Sequence, residues 1–367
     1  MVGPRGDLSW LCFPRWHDDA VFAALLGGRS AYALAPRGRY VWGGYYEPGG
    51  LIWRSRWATE AGIVESREAL ALPASPRRAI VVRRVRALDA PAEIEVRLAA
   101  GAGFDRHGMA RLHRDEGGVW RAELGDERLA WHGAGEAEAR EEGGGKTLAL
   151  RFALEPGESR DLVLVLACAD EELAVPPPRQ LWAATEEAWR ERVPSFDETL
   201  APRDARHAYA VLRGLTSADG GMVAAATTSL PERAEQGRSY DYRYAWLRDQ
   251  AYAGQAVAAA GPEPLLDNAV TFVAERLLAD GAHTAPAYTV DGERVPPERE
   301  LGLPGYPGGV DVVGNRVRDQ FQLDVFGEAL LLFAAAARHD RMTGDAWRAV
   351  EVAAEAIAAR RHDPEAG

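Results

Sequence analysis

Two rhythms of apolar residues meet at Val175-Pro176-Pro177-Pro178, and they belong to different architectures. Before this point the period is two. Ile80–Arg86 and Glu93–Leu98 alternate in part, and Leu148, Leu150, Phe152 and Leu154 share one face of the run 146–154, with Arg151 opposite. Side chains of a strand point alternately to its two faces, so this pattern predicts half-buried strands. Asp161–Cys168 is apolar on both faces, as a central strand is. Glu155-Pro156-Gly157-Glu158 reads as a turn, and Glu136–Gly145 as a solvated one. Short strands separated by Gly and Pro turns predict a sandwich.

The prolines lack N–H groups and have a fixed φ, so they form a stiff break. Beyond them the period is helical. Leu181–Val193, with Trp182 and Trp189, reads as a connecting helix. Asp204–Ser217, Leu247–Ala260, Leu265–Asp280, Gln322–His339 and Trp347–Arg361 follow, rich in alanine. Such helices bury two faces in packed layers, and about five are expected after the connection. The expected organisation is a β-sandwich over 1–178, a helical linker over 179–200 and an all-α region over 201–367. The loop 281–321, long and rich in Gly and Pro, is of the kind that carries function.

At 367 residues the chain exceeds one ordinary domain. A net charge of −12 excludes a general nucleic-acid binder, which needs clustered cations to neutralise phosphates. The longest apolar run, Leu162–Cys168, is far short of the roughly 18 residues of a membrane span. Cys12 and Cys168 lie apart in apolar runs and read as buried small hydrophobes, consistent with a cytoplasmic, reducing compartment. Adjacent residues such as His17-Asp18-Asp19 rarely converge on one ion, and Gly101-Ala102-Gly103 is too short for a phosphate loop. No cofactor, metal, nucleic-acid or membrane partner is expected.

Chemistry concentrates in Tyr240-Asp241-Tyr242-Arg243-Tyr244-Ala245-Trp246-Leu247-Arg248-Asp249, at the mouth of a helix. Flat aromatic faces bind the C–H surfaces of sugars, and paired charged groups bind their hydroxyls. Arg248 donates in pairs and Asp249 accepts in pairs, so together they can grip two neighbouring hydroxyls, or simply form a local salt bridge. Tyr242 and Trp246, four apart, would share a helical face and form a pocket wall, or pack in a core. Gln320-Phe321-Gln322-Leu323-Asp324 brings amides and a carboxylate to a helix start, where the macrodipole favours Asp324. Thr227–Glu232 reads as a polar turn, and Glu328 as a solvated helix residue.

Taken together, these segments resemble bacterial members of glycoside hydrolase family 15, the glucoamylase and trehalase type. Gly6-Asp7-Leu8-Ser9-Trp10-Leu11-Cys12-Phe13-Pro14-Arg15 and Val21–Gly27 are similar to the opening of the trehalase-like N-terminal domain. Ala224–Glu232, Asp241–Asp249, Asp291-Gly292-Glu293-Arg294, and Gly314-Asn315 with Gln320–Glu328 follow in family order. The resemblance implies a β supersandwich followed by an (α/α)6 barrel, and inverting exo-hydrolysis of a terminal α-glucosyl bond in trehalose or an α-glucan. It implies that Arg248 and Asp249 hold the non-reducing glucose, that Tyr242 lies by the reacting sugar and that Trp246 lines the pocket. Gln320 and Asp324 complete the expected substrate-binding set. Ser239-Tyr240, Ala226 and Val310-Asp311-Val312-Val313 depart from the family pattern.

In this family the catalytic acid lies in a Gly-Ile-Trp-Glu-like motif, to which His362-Asp363-Pro364-Glu365-Ala366-Gly367 resembles the lead-in. The acid and base are therefore expected beyond Gly367. The chain is expected to be an inactive fragment with about half a barrel, whose exposed apolar flanks favour homo-oligomers. The alternative is a non-catalytic sugar-binding or regulatory protein on the same scaffold.

Overall fold

The alternation before residue 175 becomes two antiparallel sheets in the computed structural model, which describes residues 2–229, 231 and 239–366. The strands are β1 Ala31–Pro36, β2 Tyr40–Tyr46, β3 Trp53–Thr59, β4 Ile63–Leu70, β5 Arg78–Ala87, β6 Ala92–Ala99, β7 Ala110–Arg114, β8 Trp120–Leu124, β9 Glu127–His132, β10 Glu138–Glu142, β11 Gly145–Leu154 and β12 Ser159–Cys168. The large sheet runs β7-β8-β9-β12-β5-β4-β3-β2 and the small one β10-β11-β6-β1. The chain divides into two compact units, Met1–Val193 with Leu303–Tyr306, and Pro194–Gly302 with Pro307–Gly367.

In the first unit, Val81, Val85, Leu162, Leu164 and Leu166 of the large sheet meet Leu34, Val96, Leu98, Leu148 and Leu150 of the small one. The alternate residues Ile80, Val82, Val163 and Val165 face the other way. They are covered by Leu181 and Trp182 of helix α1, Pro178–Arg192. This explains why β12 is apolar on both faces: one faces the sandwich, the other a helix.

Two details depart from the expected pattern. Glu136–Gly145 is not only a turn: it contains β10, an edge strand with every residue exposed, turned into β11 by Gly143-Gly144. Arg83, on the same strand face as Val81 and Val85, lies in the core although it carries a charge. It donates to the Tyr32 carbonyl at 2.9 Å, the Gly6 carbonyl at 2.5 Å and the Glu68 carboxylate at 2.7 Å.

The second unit is helical: α2 Pro202–Leu215, α3 Leu247–Ala260, α4 Pro264–Asp280, α5 Asp324–Ala337 and α6 Gly344–Arg360. Proline at the first turn starts α2 and α4, where its missing N–H costs nothing. Thr343 caps α6 by accepting from the Ala346 N–H at 3.1 Å. Helix α3 packs against α4 and α5, and α6 packs against the same two. Leu331 on α5 and Trp347 on α6 remain more than half exposed. Among the described residues, no helix is long and apolar enough to cross a membrane.

Candidate functional site

The aromatic segment before α3 is held by a buried carboxylate. Asp241 is 1% exposed and Arg243 likewise 1%. Arg243 donates to Asp241 through Nε at 2.9 Å and Nη2 at 2.8 Å, a two-pronged pairing. The Tyr244 hydroxyl adds a bond at 3.2 Å and the Gly314 N–H one at 3.0 Å. The Asn315 side chain donates to the Asp241 carbonyl at 3.1 Å. Burial and the Asp241 charge together push the Tyr244 hydroxyl's pKa far up.

Two segments distant in the sequence thus lock together around Asp241. A third runs beside them: the Ala224 and Ala225 N–H groups donate to the Tyr244 and Tyr242 carbonyls, both at 2.9 Å, and Thr228 bridges Asp241. Within Thr227–Glu232, Leu230 and Glu232 lie outside the described residues.

Tyr242 and Trp246 meet, though not on a helix. Helix α3 begins at Leu247, and Trp246 has extended backbone and pairs with Ala287. The two rings meet edge to face, 5.6 Å between centroids. Trp246 is buried with Tyr244, Ala287, Val295 and Val317, and Tyr242 packs against this group half-buried.

Arg248 and Asp249 stand in the first turn of α3, and Asp324 opens α5. The Arg248 Nη1 donates to Asp324 Oδ2 at 3.2 Å, and Nη2 lies 3.6 Å from Asp249 Oδ2. Burial raises the Asp249 carboxyl above its ordinary value, with Arg248 opposing and Asp324 reinforcing. One turn further along, Glu328 accepts from the Tyr252 hydroxyl at 3.0 Å and from Gln255 at 3.4 Å, so it ties α5 to α3 rather than standing solvated.

Gln320 ends the short turn Arg316–Asp319 and accepts from Gln322 at 3.1 Å. The Gln322 Oε1 is buried and receives no hydrogen bond. Arg243 and Gly314, which shape the site, carry no individual signal in the sequence. Only the order of the motifs around them pointed here. Among the described residues, no three His, Cys, Asp or Glu side chains are arranged to hold a metal ion.

A family model described as "Trehalase-like, N-terminal" matches residues 1–191, and one described as "Glycosyl hydrolases family 15" matches residues 206–367. The chain is 29% identical to a trehalase of Mycobacterium tuberculosis, over 100% of this chain and 58% of that protein. It is 29% identical to a trehalase of Mycolicibacterium smegmatis, over 90% of this chain and 54% of that one. Trehalase 1 of Sulfolobus acidocaldarius is 38% identical over 38% of this chain and 25% of its own length. The chain thus spans somewhat more than half the length of the mycobacterial relatives. Among solved structures, a bacterial glucoamylase complexed with acarbose superposes with a TM-score of 0.60 at 12% identity, over 97% of this chain and 55% of that one. At that identity the likeness speaks for the fold, a β-sheet region followed by a helical one. With family models covering both of its units, this chain belongs to glycoside hydrolase family 15 and carries a trehalase-like N-terminal region.

Proposed function

We propose that this chain holds the terminal glucose of trehalose, or of an α-glucan end, at the joined starts of α3 and α5. The helical unit is read as the first part of an (α/α)6 barrel. The observation that carries this reading is the position of Arg248. A cation in the first turn of a helix is opposed by the macrodipole at a cost of about 0.3–1 kcal/mol. Here it is held by two carboxylates that, like the guanidinium itself, stay more than a third exposed. A solvent-open pair contributes little stability. A donor fork flanked by two acceptors does suit vicinal hydroxyls, each of which donates to a carboxylate and accepts from an N–H.

Tyr242, half-buried and backed edge to face by Trp246, offers an apolar surface for the sugar's C–H face, and Gln320 a further amide. The relatives named as trehalases favour trehalose. The reaction read for the whole enzyme is inverting hydrolysis: one carboxyl protonates the leaving glycosidic oxygen while another takes a proton from the attacking water. In this reading Arg248, Asp249 and Asp324 bind and orient. They serve as neither acid nor base, and the 367-residue chain binds sugar without turnover. A non-catalytic sugar-binding or regulatory role rests on the same site.

Calorimetric titration of the chain with trehalose, maltose and glucose tests this. Saturable binding that disappears in the Arg248→Ala/Asp249→Ala double variant is expected. Absence of binding to all three sugars overturns the site, and glucose release by the pure chain overturns the assignment of a binding role alone.

A further inference from the structure

Helices α3 and α5 are cross-linked twice in one register. Arg248 meets Asp324, and one turn further along each helix the Tyr252 hydroxyl donates to Glu328 at 3.0 Å; both pairs lie 76 positions apart in the chain. Four residues of α-helix advance about 6 Å, so the second pair stands roughly one pyranose ring beyond the first. The two pairs differ in character. The first is an ion pair. The second presents an aromatic ring, 52% exposed, whose hydroxyl is pinned by a carboxylate that also takes the Gln255 amide at 3.4 Å. A carboxylate has about four lone-pair positions, so Glu328 keeps the capacity to accept further donors.

Gly327 lies between these pairs along α5, inside the span Asp324–Ala337. Glycine within a helix is destabilising relative to alanine, because it gives up more backbone freedom on folding. Packing accounts for Gly254 of α3, where a Cβ would come 2.4 Å from Leu332 Cδ1. At Gly327 a Cβ would meet nothing within 4 Å, and the residue is not at positive φ, so the fold does not require glycine there. A bare position on a helix does suit a ligand that lies close to the backbone. Asp324, Gly327 and Leu331 follow one another at helical spacing on one face, and Leu331 is 53% exposed.

We propose that this strip takes the second glucose ring of an α-linked disaccharide. Its C–H face lies against Tyr252 and the bare backbone at Gly327, and its hydroxyls donate to Glu328. The inference rests on the reading that Arg248, Asp249 and Asp324 hold the first ring. It makes Tyr252 and Gly327 the residues that select a disaccharide over free glucose.

Calorimetric titration with glucose, trehalose and maltose separates the two positions, because glucose fills only the first. The wild-type chain is expected to bind one or both disaccharides at least about tenfold tighter than glucose, a difference of about 1.4 kcal/mol. Tyr252→Ala is expected to erase that difference with the glucose affinity unchanged, and Tyr252→Phe, which keeps the ring, to restore most of it. Gly327→Ala is expected to raise the urea midpoint through helix propensity while weakening the disaccharide, opposite signs that a purely structural glycine would not give. The disaccharide that loses more in these variants is the one whose linkage fits the strip. Urea midpoints report whether each variant folds. A chain that binds glucose through Arg248 but prefers neither disaccharide, or keeps its preference in both alanine variants, overturns this inference and leaves the first position standing. Failure to bind any sugar overturns both. Should Gly327→Ala alter sedimentation and not sugar affinity, a second copy covers the strip and the proposal falls.

Discussion

The Asp241 carboxylate takes two prongs of the Arg243 guanidinium, at 2.9 and 2.8 Å, in a place where neither side chain is more than 1% exposed. The pair sits under the segment that carries Tyr242 and Trp246. Removing one member of such a pair leaves a buried charge uncompensated. Asp241→Ala is therefore expected to destabilise the helical unit by about 3–5 kcal/mol, read as a lowered urea midpoint. A midpoint within experimental error of wild type would show that Arg243 finds another partner.

Gly314 donates its N–H to Asp241 from a left-handed conformation, φ 85°, and a Cβ there would run into the Pro297 carbonyl oxygen. Gly314→Ala is expected to cost about 1–3 kcal/mol. Because the strain pulls the loop away from Asp241, sugar binding should weaken with it. Thermal unfolding and titration of one preparation check both.

Arg248→Ala should separate binding from stability. Its partners are each more than a third exposed and the helix dipole opposes it, so the midpoint is expected to move by less than about 1 kcal/mol. Trehalose binding is expected to be lost. A large stability loss with binding retained would assign Arg248 to the scaffold.

Asp249 adds a pH signature. Partial burial raises its folded-state pKa above the ordinary 3.8. The folded chain then holds this proton more tightly than the unfolded chain, so folding takes up a proton between the two values. Stability falls as pH rises through that window and carries a constant penalty above it. Asp249→Asn is thus expected to be more stable than wild type at pH 7, with the gain shrinking as pH falls through the window. Sugar binding by wild type should weaken on acidification with a midpoint above 3.8, as the carboxylate is neutralised. Denaturation and titration over a pH series provide both curves.

In the first unit, Arg83 is fully buried against Glu68, two backbone carbonyls and the face of Tyr32, 4.6 Å away. Burial, partly offset by Arg83, raises the Tyr32 hydroxyl to about 12. Arg83→Met is expected to cost about 3–5 kcal/mol because Glu68 is left buried and unpaired. Adding Glu68→Gln should recover part of the loss. Additive single effects would show that the two do not act as a pair.

Hydrophobic period alone separated the β region from the helical one at Val175-Pro176-Pro177-Pro178. It also located α3 at Leu247, because burial on one or two faces leaves a local repeat in the residue types. The motif order around Tyr242, Trp246, Arg248 and Asp249 was equally legible, since each motif is a short contiguous string. What only the tertiary structure decided was pairing at long range. Asp324 reaches Arg248 from 76 positions away, and Gly314 reaches Asp241 from 73. Arg83 shares the face of Val81 and Val85, and only the fold supplies the Glu68 carboxylate that holds its charge there. Periodicity reports how often a side chain is buried. It does not report which distant carboxylate or carbonyl meets the side chain there, because that is set by the folding of separate segments onto one another.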